Sequence, residues 1–206
     1  MGINAFVVWH RLPASPDLVS PEKAPLQDIQ RAMRMIYANA AKWGIDPKRV
    51  GVFGTSAGGH GASTLATHPE DVSAIGDALD PFPYKPAFSI LLSPVISFKN
   101  GIVHKGSRDR LLGAHPSAEQ INTYSNETRV TKETPPALLL HAHDDNAVSP
   151  LNSVVYYQAL KAAGVPASLH IFPQGGHRLG MENNPGSAAL WPALSAQWLK
   201  EMKFIP

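Results

Sequence analysis

The stretch Arg49-Val50-Gly51-Val52-Phe53-Gly54-Thr55-Ser56-Ala57-Gly58 is the most informative part of this chain. A short apolar strand runs into a Gly-Thr-Ser-Ala-Gly turn, and a helix-like run of small residues follows. A serine hydroxyl stands clear of the backbone only if the chain is forced through a tight strand-to-helix turn. Small residues two before and two after the serine relieve the crowding of that turn. This is the pattern of a nucleophile elbow, and the helix opening at Gly58 points its N-terminal N–H groups to where negative charge would develop. A bare G-x-S-x-G also reads as a structural turn, because Gly, Ser and Ala are common. The strand before it and the helix after it favour the catalytic reading.

On both sides of this turn, apolar strands alternate with helices. Ile3 to Trp9 is a continuous apolar run, and Leu26, Ile29, Met33, Ile36, Ala40 and Trp43 recur at helical spacing until Gly44 and the Asp46-Pro47 turn. Further strands are expected at Ala87 to Leu92, Ala137 to Ala142 and Ser168 to Phe172, with helices near 58–68, 151–163 and 187–201. Such alternation implies an α/β fold, a mostly parallel sheet with helices on both faces. Residues 94–135 are rich in Ser, Asn, Gly, His and Lys and only weakly periodic, with one short helical candidate at Ser117 to Tyr124. They are expected to form an inserted lid over the strand ends, within one domain spanning residues 1–206.

A serine hydroxyl is a poor nucleophile at neutral pH, so the elbow calls for a histidine base and a carboxylate to orient it. After the strand Ala137 to Leu140 comes His141-Ala142-His143-Asp144-Asp145-Asn146-Ala147-Val148; after the next strand comes Gln174-Gly175-Gly176-His177. Ser56, Asp145 and His177 thus fall in the chain order Ser, Asp, His at successive strand ends. Asp144 is the alternative acid; Asp145 is preferred on the spacing from His141 to Val148, where apolar packing resumes. His177 could instead cap a turn beside its two glycines. His141 and His143, two apart, could hold a metal with the aspartates, but no third ligand cluster accompanies them. His60 reads as a packed helix residue. His10, His68, His104, His115 and His170 have no partner in the sequence and read as surface or core residues.

Composition narrows the classes of function. The 206 residues are 44% hydrophobic and 17% charged, enough to bury one sizeable core. Lys and Arg number 18 against 16 Asp and Glu, and no basic run suits nucleic acid. Cysteine is absent, which removes disulfides and thiolate metal sites. No apolar stretch approaches the roughly 20 residues needed to span a bilayer, and the N-terminus shows no signal peptide. The expectation is a soluble chain with no membrane association and no visible address.

The segments Pro25-Leu26-Gln27-Asp28 with Arg31-Ala32, Trp43-Gly44-Ile45-Asp46-Pro47, Gly51 to His60, Thr134-Pro135-Pro136, Asn152-Ser153 and Gly175-Gly176-His177 together resemble the acetyl-esterase and acetylxylan-esterase-like branch of the α/β-hydrolases. The likeness runs nearly end to end. It includes His104-Lys105-Gly106-Ser107-Arg108, Leu111-Leu112-Gly113 and Tyr124-Ser125-Asn126-Glu127, which resemble the same region of carbohydrate acetyl esterases. The resemblance implies Ser56 as nucleophile, Asp145 as orienting acid, His177 as base, and the backbone N–H of Ala57 as one oxyanion donor. It also implies a polar lid that brings His104 and Arg108 near the substrate.

Members of this branch carry a further N-terminal segment with a Gly-rich loop that completes the oxyanion hole, and this sequence begins after it. By the resemblance, Ile3 to Trp9 corresponds to the fourth strand of eight, and the third, which would lie between it and the Ser56 strand, is missing. Either Ile3 to Trp9 pairs directly with Val50 to Phe53, or another chain, such as a second copy, fills the gap and completes the sheet or site. The expected activity is cofactor-free hydrolysis of short acyl esters, with an acetylated carbohydrate such as a xylan fragment as substrate. The alternatives are a peptidase of the prolyl-oligopeptidase type, disfavoured because no gating domain accompanies the chain, and a silent binding protein that lacks the oxyanion loop.

Overall fold

The computed structural model describes residues 3–15 and 18–206. Its centre is a parallel sheet of four strands, β1 (Val52–Thr55), β2 (Ser89–Leu92), β3 (Ala137–Ala142) and β4 (Ala167–Phe172), in the order β1-β2-β3-β4. The register sets Val52 opposite Ser89, Ser89 opposite Ala137 and Ala137 opposite Ala167. β2 and β3 are buried along their whole length, as near-continuous apolar runs must be when both sheet faces are covered.

Alternate residues of these strands serve the two faces. Ile90, Leu92, Leu138 and Leu140 pack against Trp191, Trp198 and Leu199 of α7 (Trp191–Glu201). Leu91 and Leu139 face the other way, onto Ala62 of α3 (Ala57–Thr67) and Tyr156 and Leu160 of α6 (Leu151–Ala162). The expected helix over 26–43 forms as α1 (Ala24–Ala38) and a short α2 (Ala40–Trp43). Asn39 divides them, its side-chain amide donating to the carbonyl of Met35 at 2.9 Å. Leu26 and Met33 of α1 pack on Leu65 of α3.

Residues 94–135 hold more helix than their pattern suggests. α4 (Lys105–Leu112) starts where the His104 side chain accepts the N–H of Ser107, and α5 (Ala118–Thr123) starts with a reciprocal capping box between Ser117 and Gln120. α4 escapes the periodicity reading because none of its residues is fully buried and only Leu111 and Leu112, adjacent at its end, pack on the core, too few to make a periodic stripe.

The strand expected at Ile3 to Trp9 does not form. The run lies without regular structure, with Val7 82% and Trp9 92% exposed. Phe6 sits 5.2 Å from the ring of Trp43, and just past the run Arg11 pairs with Asp28 at 2.7 Å, its backbone N–H donating to the same carboxylate. An apolar run becomes a strand only when a sheet edge takes up its backbone groups. Here it pairs with no strand, and the outer edge of β1 has no strand partner among the described residues.

Candidate active site

Ser56, Asp145 and His177 come together at the C-terminal edge of the parallel sheet, each on the chain leaving a strand. Ser56 follows β1 and is tied to the next strand by its N–H, which donates to the carbonyl of Leu92 at 3.2 Å. Its backbone sits at φ 53°, ψ −123°, a conformation a non-glycine residue holds only under strain of about 1–3 kcal/mol. Its hydroxyl makes no cap bond to the helix it precedes. The side chain is therefore presented to the site.

The crowding around this turn falls on Gly54, two before the serine as the motif suggests, but not on Gly58, two after it. A Cβ on Gly54 would overlap the carbonyl oxygen of Gly58 and lie 2.9 Å from the Ala62 side chain, whereas a Cβ on Gly58 would meet nothing within 4 Å. The residue after it takes the second close approach: a Cβ on Gly59 would lie 2.7 Å from Pro94.

His177 Nε2 lies 2.8 Å from Ser56 Oγ, and its Nδ1 lies 2.8 Å from Asp145 Oδ2. The imidazole therefore accepts the serine O–H at one nitrogen and donates from the other to the carboxylate. The Asp145 side chain is fully buried, and its other oxygen accepts the N–H groups of Ala147 and Val148, each at 2.9 Å. Burial opposes its ionisation, but the bonds from His177, Val148 and Ala147 outweigh that and hold the carboxyl below the usual range. Asp144 points elsewhere and accepts the N–H of Gly176 at 2.8 Å. Geometry thus separates the two neighbouring aspartates.

Ala57 opens α3 beside Ser56, where helix amides have no partner of their own, so its N–H is available to an oxyanion. His104 and Arg108 are brought into no hydrogen bond with Ser56, Asp145 or His177: His104 bonds Ser107 at 2.8 Å, and Arg108 leans on Asp109 at 2.9 Å. Among the described residues, no group of three His, Cys, Asp or Glu side chains could hold a metal. Both nitrogens of His141 are engaged, while His143 is exposed. A surface hollow lined by Lys99, Asn100, Ala118, Ile121 and Asn122 includes none of the three residues. Likewise, none of the helices is long and apolar enough to cross a membrane among the described residues.

Two features escaped the sequence reading. His141 touches Asp145, at 3.1 Å. His60 and Asn126 pin residues 94–135 to α3: His60 Nε2 donates to the Tyr124 carbonyl at 2.8 Å, and the Asn126 amide donates to Ser63 Oγ at 2.7 Å. The signal for His141 was its place at the end of a buried strand four residues before Asp145.

Residues 10–160 match the BD-FAE family model. The chain is 36% identical over 183 residues to an acetylxylan esterase of Xylanibacter ruminicola, covering 87% of this chain and 35% of that protein. It is 35% identical over 183 residues to endo-1,4-beta-xylanase B of Butyrivibrio fibrisolvens, covering 89% of this chain and 28% of that protein. It therefore spans about a third of the length of these curated relatives. The crystal structure of an acetyl ester-xyloside bifunctional hydrolase from Caldicellulosiruptor lactoaceticus superposes with a TM-score of 0.84 at 38% identity, covering 89% of this chain and 67% of that one. The fold expected from the sequence, that of an α/β-hydrolase, is the fold observed.

Proposed function

This chain belongs to the BD-FAE family, and from that premise we propose that it hydrolyses short-chain esters through Ser56, His177 and Asp145. One observation carries the reading: the continuous line from Ser56 Oγ to His177 Nε2 and from His177 Nδ1 to Asp145, each link 2.8 Å, ending on a serine held in a strained elbow. His177 takes the serine proton as Oγ attacks the ester carbonyl carbon. The oxyanion forms beside the N–H of Ala57, and buried Asp145 stabilises the imidazolium. His177 then protonates the departing alcohol, leaving an acyl-serine. Water, deprotonated by His177, attacks that acyl group and releases the acid. The steps balance without a cofactor.

Acetyl is the favoured acyl group and a xylan fragment the favoured alcohol, a reading supported by the names of the relatives. In this reading residues 94–135 are the lid of a single domain, with His104 and Arg108 at the start of α4 as sugar contacts. Alanine at either position then raises KM for the oligosaccharide and leaves aryl acetate turnover alone. A second copy laid along the outer edge of β1, unpaired among the described residues, is the proposed form of association, which light scattering of the same sample reads directly.

The test is hydrolysis of a short-chain aryl acetate by the wild type and by Ser56→Ala, with acetate release from acetylated xylo-oligosaccharide measured in parallel. The serine variant is expected to fall by about 10⁴-fold or more. A folded wild type with no turnover above background overturns the reading in favour of a silent binding protein. Turnover of the aryl ester without acetate release from the oligosaccharide overturns the substrate class alone.

A further inference from the structure

His141 is the penultimate residue of β3 and fully buried. Its Nε2 lies 3.1 Å from Asp145 Oδ2 and 3.0 Å from the carbonyl of Val148, and its Nδ1 lies 2.8 Å from the hydroxyl of Ser153 on α6. The two oxygens facing Nε2 can only accept, so Nε2 carries a proton and donates to both. Ser153 is also fully buried, and its hydroxyl can donate to Nδ1, which leaves His141 a neutral ring with both nitrogens satisfied. The charged or titratable groups facing the ring are Asp145 and His177; from α6 it meets the uncharged Ser153. Burial disfavours the charged form of His141 and outweighs the pull of the carboxylate, which agrees with the neutral ring.

Asp145 therefore has all its acceptor directions filled. Oδ1 takes the N–H groups of Ala147 and Val148; Oδ2 takes those of His177 and His141. We propose that His141 is a positioning residue of the esterase site, whose Nε2–H fixes Oδ2 of Asp145 towards His177 and moderates the pull of that oxygen on the His177 ring. The proposal rests on the ester-hydrolase reading above. Without the His141 donor, Oδ2 keeps only the His177 bond and becomes a stronger acceptor for the imidazolium, which makes that proton harder to return to the departing alcohol. This change acts on the chemical step and not on substrate binding.

His141→Leu removes the donor, whereas His141→Gln keeps an N–H near the Nε2 position. His141→Leu is expected to lower kcat for the aryl acetate about tenfold or more, as loss of a hydrogen bond to a charged group does, with KM unchanged. The acid limb of its kcat/KM profile moves to higher pH, and His141→Gln restores both the limb and most of kcat. A folded His141→Leu with wild-type kcat and acid limb overturns the proposal, as does a His141→Gln that behaves like leucine. If the leucine variant fails to fold, ¹⁵N-histidine NMR of the wild type decides. A proton on Nε2 and a bare Nδ1 throughout the acid limb support the assignment, and any other protonation state overturns it. Ser56→Ala is run alongside: activity surviving there sinks the esterase reading itself, a different outcome from activity surviving only at position 141.

Discussion

The N–H of Gly176 donates to Asp144 at 2.8 Å, so the aspartate next to Asp145 fastens the loop that carries His177. The two adjacent carboxylates thus hold the same histidine in different ways, Asp145 through the ring and Asp144 through the backbone. Asp145→Asn is expected to lower kcat by about 10⁴-fold, because an amide cannot support the imidazolium and favours the wrong tautomer. Asp144→Ala loses one exposed bond and is expected to stay within about tenfold of wild type. Steady-state kinetics on an aryl acetate separate the two. Equal losses would make Asp144 part of the charge system.

The elbow predicts an asymmetry between its glycines. Gly54→Ala drives a methyl into the Gly58 carbonyl and is expected to destabilise the fold by at least about 1–3 kcal/mol, the usual range for overpacking. Gly58→Ala meets open space and is expected to leave the melting temperature within a few degrees of wild type. Thermal unfolding followed by circular dichroism compares them. A Gly58→Ala as damaging as Gly54→Ala would contradict the geometry of the turn.

Stability should depend on pH through His60. This buried ring bonds the Tyr124 carbonyl and stacks on Phe98 at 4.5 Å, and burial pushes it down from 6.5 to about 4. A depressed histidine means that between these values the unfolded chain binds the proton and the folded chain does not. Its contribution is thus complete above pH 6.5 and lost as pH falls towards 4, by about 3 kcal/mol. His68, also lowered by burial and bonded to the Thr123 carbonyl at 3.1 Å, adds with the same sign. Urea melts at pH 7 and pH 4.5 should show the loss, and His60→Gln should flatten it. An equally steep slope in His60→Gln would assign the effect to other groups.

Arg34 is 2% exposed and binds Asp71, the Asp80 carbonyl and Ser73 Oγ, with Tyr84 beneath its guanidinium at 5.2 Å. It ties α1 to the segment 71–84. Arg34→Ala is expected to destabilise by about 1–3 kcal/mol, the size of leaving buried partners unpaired, because Asp71 is partly exposed and can turn to water. Arg34→Lys should recover only part, because an ammonium cannot span three partners in a plane. Chemical denaturation checks both. A mild Arg34→Ala would mean that the segment holds itself.

How much of this protein can be read from its sequence depends on whether a feature is local. The elbow, the Ser, Asp, His order and the alternation of buried strands with helices follow from backbone demands and side-chain periodicity, which act over a few residues. The choice of Asp145 over Asp144 rested on spacing in the sequence, and the contact with His177 that distinguishes them spans 32 residues. Only the tertiary structure turned His141 onto that carboxylate, because the direction of a buried side chain depends on what surrounds it. It also left Ile3 to Trp9 without a ladder and set α4 down with only Leu111 and Leu112 on the core, since a strand needs an edge to pair with and a capped helix needs no full stripe. Sequence alone therefore determined which residues could do chemistry and at which strand ends they lie; folding determined which of them touch, since contact between distant residues is a property of packing.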